Sequence, residues 1–288
     1  MSNMEDKKNY ELIDCGDLRR LERFGDITID RPAPVAKWEK KLDIPWQNAD
    51  IRYINDDDNG NWKFETNISD KINLTIDDIN MILKFSKNGQ IGLFPEQQTN
   101  WRWLNIILNK SKRPLKILNT FAYTGALTLF CALNKEIDHQ TTHLEGSSSI
   151  IGWAKENAQS NTDYENNIRW INDDVLTFME KEIRRGNDYN GIILDPPAFG
   201  RSGKKTWKLE RDISKLFQLT GDLLKKDPAF LIFSCHSQEL TIDDIQSMFN
   251  HLAFINKGKL ERIELTIPSE KGNALPSGIC VRWKKDAL

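Results

Sequence analysis

Five short segments carry side chains that could do chemistry together. In ILDPPAFGRSG, Asp195 leaves an apolar run and is followed by two prolines, which remove two backbone donors and fix an extended exit. Phe199 then offers a ring at the reach needed to stack on a planar base. In FLIFSCHS, Cys235 ends a second apolar run. A thiolate there would be a strong nucleophile, although most free cysteines are buried and inert. His236 beside it reads as a local structural partner rather than a base. In HLEGSS, Glu145 could accept hydrogen bonds from both hydroxyls of a ribose, with Ser147 or Ser148 capping the helix that follows. In INDDV, Asp173 or Asp174 could accept from an exocyclic adenine amine, and Asp174 serves equally well as a plain helix cap. In LNTFAYTGALTL, Gly125 opens a turn where a missing side chain lets an adenosyl or amino-acid group approach the backbone, or simply relieves a tight bend.

These residues need elements that bring them to one edge. After Pro95, apolar strands alternate with helical segments, the pattern of a doubly wound α/β sheet with helices on both faces. The expected strands are Leu115–Thr120, Thr141–Glu145, Ile168–Asp173, Gly191–Asp195 and Phe230–Cys235. Helices are expected at Gly125–Asn134, Ser148–Gln159, Val175–Arg185, Trp207–Leu224 and near Ile242–Leu252. Arg262–Ile267 and Gly278–Trp283 alternate around PSEKGNALPSG and read as a terminal antiparallel hairpin. Ligands of such sheets sit beyond the carboxyl ends of the strands, where the chain reverses direction. Glu145, Asp173, Asp195 and Cys235 all end strands, so all would face that edge, with Asp195 and Cys235 on neighbours sharing one cleft.

The first third differs. Short runs at Asp26–Asp30, Ile51–Ile54, Trp62–Glu65, Ile72–Ile76 and Met81–Phe85, with a hairpin bend over Asn55–Asn61, predict a small β-rich domain. The expected division is residues 1–90, a substrate-recognising candidate, and residues 91–288.

Composition sets outer bounds. Hydrophobic residues are 39% and charged residues 28% of 288, ordinary for a globular chain with a real core. Apolar runs such as Ala229–Phe233 fall far short of the roughly 20 residues a membrane helix needs. The polar N-terminus has no signal-peptide stretch, and four dispersed cysteines form no metal pattern, so a reduced cytoplasm and no metal are expected. The net charge of −2 argues against a chain that coats nucleic acid, yet leaves room for a local basic patch. Arg201, Lys204, Lys205, Lys208 and Arg211, broken only by Glu210, could form one along the proposed site; a solvated loop and helix start is the plainer reading.

GLFPEQ (Gly92–Gln97), NTFAYTG (Asn119–Gly125), LEGS (Leu144–Ser147), LDPPAFGR (Leu194–Arg201) and SCHS (Ser234–Ser237) together resemble the bacterial 23S ribosomal RNA cytosine-carbon-5 methyltransferases. The likeness covers roughly Gly92–Cys235. It implies a class I methyltransferase sheet, S-adenosylmethionine as cofactor, and a cofactor site lined by Gln97, Tyr123, Gly125, Glu145, Asp174 and Asp195. It also implies that Cys235 is the nucleophile, with Asp195 assisting; Phe199 and the basic residues Arg201, Lys204 and Lys205 are, by their own chemistry, the candidates to meet the RNA. The N-terminal RNA-binding module of that family has no match, and Gln98 stands where the family has an arginine. The lone Gly125, without a GxGxxG loop, separates this site from a dinucleotide cradle. Three rivals stand beside carbon-5 methylation. They are methylation of an exocyclic amine with Cys235 structural, a protein or small-molecule substrate, and a non-catalytic module in ribosome assembly.

Overall fold

Strands buried on both faces must be apolar throughout, and Gly191–Leu194 and Phe230–Cys235 are buried at every position. The computed structural model describes residues 9–286 apart from 57–58, 66–67, 135–136, 138, 163–166 and 238. In it these two strands run parallel, side by side, inside a seven-stranded sheet. The chain divides into two compact units, Met1–Glu96 with Thr266–Ser277, and Gln97–Leu265 with Gly278–Leu288.

In the first unit, β1 (Tyr10–Gly16), β2 (Arg19–Phe24), β3 (Ile27–Pro32), the short helix α1 (Ile44–Gln47), β4 (Ile51–Asp56) and β5 (Asn59–Phe64) follow in turn. Their five strands form one sheet in sequence order, with β3 and β4 parallel and the other neighbours antiparallel. β6 (Lys71–Ile76) and β7 (Ile79–Lys84) make a separate ribbon, and β6 alternates strictly between exposed and buried. The expected bend between β4 and β5 centres on Asp57 and Asp58, which lie outside the described residues. The segment Thr266–Ser277 joins this unit because Ser269 bridges Leu12, and Ile267 and Leu275 pack with Leu12, Cys15, Ala33 and Ala36.

A buried charge cluster holds the sheet. Glu22 is fully buried and accepts from Arg31 Nε at 2.6 Å and from the Tyr10 hydroxyl at 2.9 Å. Arg20 Nε stands 3.5 Å from the same carboxylate. Burial alone would raise Glu22; Arg20 and Arg31 outweigh it and hold the carboxyl below its usual range.

The second unit contains α2 (Gln98–Lys110), β8 (Lys116–Thr120), α3 (Ala126–Ala132), β9 (Gln140–Glu145), α4 (Ser148–Gln159), β10 (Ile168–Asn172) and α5 (Val175–Arg184). It continues through β11 (Gly191–Leu194), β12 (Phe199–Ser202), β13 (Lys205–Lys208), α6 (Leu209–Leu224), β14 (Phe230–Cys235) and α7 (Ile242–Asn250). β15 (Gly258–Ile267) and β16 (Leu275–Lys285) end the chain. The sheet order is β10-β9-β8-β11-β14-β16-β15, with β16 antiparallel to β14. Strand order reverses between β8 and β11, so their carboxyl ends flank the crevice where ligands of such sheets bind. The doubly wound sheet closed by a terminal hairpin is the expected class I methyltransferase architecture.

Three differences from the sequence reading have physical causes. β1 and β2 were not among the expected strands: their turn is made by Asp17 and Leu18, both at positive φ (49° and 63°), a conformation leucine rarely adopts, so no glycine at either turn position marks it. Helix α2 precedes β8 and was not among the expected elements. The helix expected from Trp207 starts at Leu209, because Lys205–Lys208 pairs with Phe199–Ser202 in a small hairpin. The Trp207 indole donates to Pro197 O at 2.7 Å and its ring meets Phe121 edge-on at 4.9 Å, which pins that segment as strand.

Candidate functional site at the sheet switch point

The first corner is built on β8, β9 and β10. β8 leaves the sheet through Phe121 (φ 51°), Tyr123 (φ 48°) and Gly125 (φ 87°), three left-handed residues in five positions. Such backbone costs an L-residue about 1–2 kcal/mol, and it is stored here at a strand-to-helix turn. At Gly125 the bend itself requires glycine, and an added Cβ would lie 3.3 Å from Ala154 Cβ, so packing against α4 explains this residue without a ligand. Glu145, at the tip of β9, clamps the turn: one oxygen accepts from the Tyr123 amide at 3.1 Å and the other from the Ser147 amide at 2.9 Å. Burial raises the Glu145 carboxyl, partly opposed by the amides of Ser147, Tyr123 and Gly146. A carboxylate has about four lone-pair sites, so these amides leave acceptor capacity for a ribose hydroxyl. Ser147 caps α4 through the Ile150 amide.

Asp174 caps α5, accepting from the Thr177 amide at 3.1 Å and the Thr177 hydroxyl at 2.6 Å. Asp173 turns to Lys181 at 2.6 Å. Lys205 of the β12–β13 hairpin reaches the Thr177 hydroxyl and stands 3.6 Å from Asp174. Lys205 is exposed like Lys204, with its ammonium turned toward the start of α5. Ser202 of the same hairpin lies against Gly146, where an added Cβ would sit 2.8 Å from Ser202 Cβ.

The second corner is built on β11 and β14. Their register pairs Leu194 with Phe233, so Asp195 lies beside Ser234, not beside Cys235. Successive strand residues point to opposite faces. Ser234 accordingly donates to Asp195 Oδ1 at 2.7 Å, while Gln97 Nε2 donates to Asp195 Oδ2 at 3.3 Å and to Ser234 Oγ at 3.1 Å. Asn100 fixes the Gln97 amide by donating to its oxygen at 2.8 Å. His236 Nε2 is 3.8 Å from Asp195 Oδ1. Cys235 takes the other face and is 0% exposed, within the apolar core that includes Val281, Leu231 and Phe233. The shared cleft expected for Asp195 and Cys235 is therefore not present in this conformation; Ser234 holds that place. Burial pushes the Cys235 thiol up, opposed by the Ser237 amide, which donates to Sγ at 3.3 Å.

Phe199 is 52% exposed, unusual for so large a ring, and the Arg201 guanidinium lies 5.8 Å from its centroid. Ser234, Asn100 and Trp207 are the site residues that the sequence reading missed. Strand alternation through SCHS was the available signal for Ser234, since adjacent residues cannot face the same side.

The donor set answers whether S-adenosylmethionine fits. Two carboxylates, Glu145 and Asp174, follow adjacent strands, and a third, Asp195, lies across the switch point. Acceptors of this kind suit a ribose diol, an exocyclic amine and a positive sulfonium. The Phe121–Gly125 turn carries a single glycine, which does not make the amide cradle that a pyrophosphate requires. Among the described residues no cluster of three metal-ligating side chains occurs, and no helix is long and apolar enough to cross a membrane.

No family model matches the chain. It is 29% identical over 134 residues to the ribosomal RNA large subunit methyltransferase K of Neisseria meningitidis, which covers 46% of this chain and 37% of that protein. It is 32% identical over 130 residues to the ribosomal RNA large subunit methyltransferase K/L of Pseudoalteromonas atlantica, covering 44% and 18%. The chain thus matches well under half the length of these relatives. A methyltransferase structure from Streptococcus mutans superposes with a TM-score of 0.73 at 15% identity, over 96% of this chain and 75% of the other, which speaks for the fold. The S-adenosylmethionine-dependent methyltransferase of Agrobacterium tumefaciens superposes with a TM-score of 0.90 at 30% identity, over 96% of this chain and 90% of that one. With sheet order, carboxylate set and near full-length similarity in agreement, the chain belongs to the S-adenosylmethionine-dependent methyltransferases.

Proposed function

We propose that the chain methylates ribosomal RNA at carbon 5 of a cytosine, with Asp195 holding the base and Cys235 attacking it. The observation that carries a base as substrate is the Asp195 corner, a carboxylate fixed by Ser234 and Gln97 and followed after two prolines by the exposed ring of Phe199. Stacking on an aromatic ring is worth about 1–3 kcal/mol per base. The names of the Neisseria and Pseudoalteromonas relatives support ribosomal RNA. An RNA of that kind puts the work in the cytoplasm, and the stretch before residue 91 is assigned to recognising it.

S-adenosylmethionine, when bound, supplies the methyl group. Carbon 5 of cytosine is a poor nucleophile until a thiolate adds at carbon 6 and makes the ring enamine-like. Cys235 ends β14 one residue after Ser234, and the Ser237 amide on its sulfur favours the thiolate. It serves this role by turning out of the core when a base enters. Asp195 steadies the ring edge during the addition. A base inside a duplex is out of reach, so the target is single-stranded or flipped out. The test is a nucleoside mass profile of ribosomal RNA from cells lacking this protein. Loss of 5-methylcytidine is the expected result, and an unchanged profile overturns the proposal.

One observation favours a second reading, methylation of an exocyclic amine. Cys235 is fully buried with its thiol raised, and that chemistry needs no thiol. Loss of an N-methylated nucleoside from the same profile would select it.

Glu145→Ala is expected to weaken S-adenosylhomocysteine binding by about 1–3 kcal/mol, since it removes a matched acceptor and frees the Tyr123 amide. Calorimetry measures this directly; unchanged affinity would place the ribose elsewhere. The RNA edge is assigned to Arg201 and Lys204, which are exposed on the β12–β13 hairpin. Arg201→Gln with Lys204→Gln should flatten the slope of log affinity against log salt by about two, roughly one per phosphate contact. A slope equal to that of the wild type across the salt series would remove the hairpin from the RNA interface.

A further inference from the structure

The carbon-5 reaction needs a base for the proton that leaves carbon 5 after methyl transfer, and we infer that His236, which the sequence alone reads as a structural partner, is that base. This rests on the carbon-5 reading above. Of the four histidines in the sequence, His139 and His143 are fully buried at β9. Burial pushes His143 down to about 3, with Lys155 adding to the effect, and its Nδ1 is tied to the Thr128 hydroxyl at 2.9 Å. His251 follows α7, away from the strand tips that hold Asp195 and Cys235. His236 alone leaves the carboxyl end of β14, directly after the nucleophile, with 38% of its side chain exposed.

Its ring is held on two sides. Nε2 faces Asp195 Oδ1 at 3.8 Å. On the other side lies Gly278 of β16, at φ 110°, where an added Cβ would come within 3.1 Å of His236 Nδ1 and 2.6 Å of Cys235 O. Glycine at that position lets the β16 backbone close on the ring and on the carbonyl of the nucleophile together. Asp195 is already given the task of holding the ring edge, its two oxygens fixed by Ser234 and Gln97.

The step balances without an outside reagent. In the methylated adduct, carbon 5 carries the new methyl group and a hydrogen, and carbon 6 is bonded to Cys235 Sγ. A ring nitrogen of His236 takes the hydrogen as a proton, the C5–H electron pair forms the C5=C6 double bond, and the C6–S pair leaves with sulfur as the Cys235 thiolate. His236 then returns its proton to solvent through its exposed edge.

The experiment uses the full chain with a large-subunit ribosomal RNA transcript, read on denaturing gels for a covalent protein–RNA band. Wild-type protein with a transcript containing 5-fluorocytidine tests the carbon-5 reading itself, since fluorine cannot leave as a proton. On unmodified transcript, His236→Ala and His236→Asn should accumulate the methylated covalent adduct. Product release should slow by about 100-fold or more, the ordinary span for a lost general base. S-adenosylhomocysteine binding like that of the wild type certifies the fold of both variants. If the wild type is trapped by 5-fluorocytidine and the variants either turn over at its rate or fail without any adduct, His236 is not the base and the carbon-5 reading survives. If the wild type is not trapped, both fall together.

Discussion

A Cys235→Ala enzyme is expected to bind S-adenosylhomocysteine as the wild type does and to lose methyl transfer by at least about 10⁴-fold, about 5 kcal/mol of barrier. The two readouts separate because the thiol faces the apolar core and not the Glu145 and Asp174 corner. Its removal leaves a cavity of one sulfur atom in that core, a modest cost in stability beside the loss of the step that activates carbon 5. The raised thiol adds a second signature. Burial disfavours the thiolate, so wild-type turnover should climb with pH above neutrality as the reactive form gains population. An amine mechanism would instead leave the alanine variant active with the pH climb unchanged. Single-turnover assays across pH decide between them.

The other large effect is structural and lies in the first unit. Glu22→Gln should lower stability by about 3–5 kcal/mol, the usual consequence of removing one partner from a buried ion pair. The variant leaves Arg31 fully buried, and Arg20 beside it, without the carboxylate that now offsets both. Replacing all three by apolar residues of similar volume should recover most of the loss, because the desolvation of the charges disappears with them. The pH response follows from the lowered carboxyl. With its folded value below the unfolded one of about 4.3, Glu22 contributes stability that is complete above the unfolded value and lost as pH falls through the folded value. Urea unfolding of the variant and the wild type between pH 7 and strongly acidic conditions, followed by tryptophan fluorescence, measures both effects. Equal midpoints at pH 7 would show that the cluster carries no net stabilisation.

Much of the architecture was legible in local pattern. β11 and β14 are short apolar runs, and the brevity of GIIL and FLIFSC between longer helical patterns is what strands buried on both faces show. α4 and α5 announce themselves by Ser147 and Asp174, whose oxygens satisfy the first free amides of each helix. Strand ends then put Glu145 and Asp195 at one edge of a parallel sheet, because all parallel strands terminate on the same side. These features depend only on residues a few positions apart, and one sequence contains them.

Register and long-range pairing were decided elsewhere. A one-residue offset between β11 and β14 determines whether Ser234 or Cys235 faces Asp195, and it is fixed as β11 pairs with β8 and β14 pairs with β16 over a shared core. The bond from Trp207 to Pro197 turns the first part of an apparent helix into a strand across ten residues of chain. Lys205 reads as a free cation in a basic run, yet its partners Thr177 and Asp174 stand on a different helix. The Asp17–Leu18 turn is strained for its residue types and is sustained by the ladder between β1 and β2. Each of these outcomes is a balance between local preference and contacts with distant segments. Local preference can be read along the chain, while the contacts exist only once the sheets have closed.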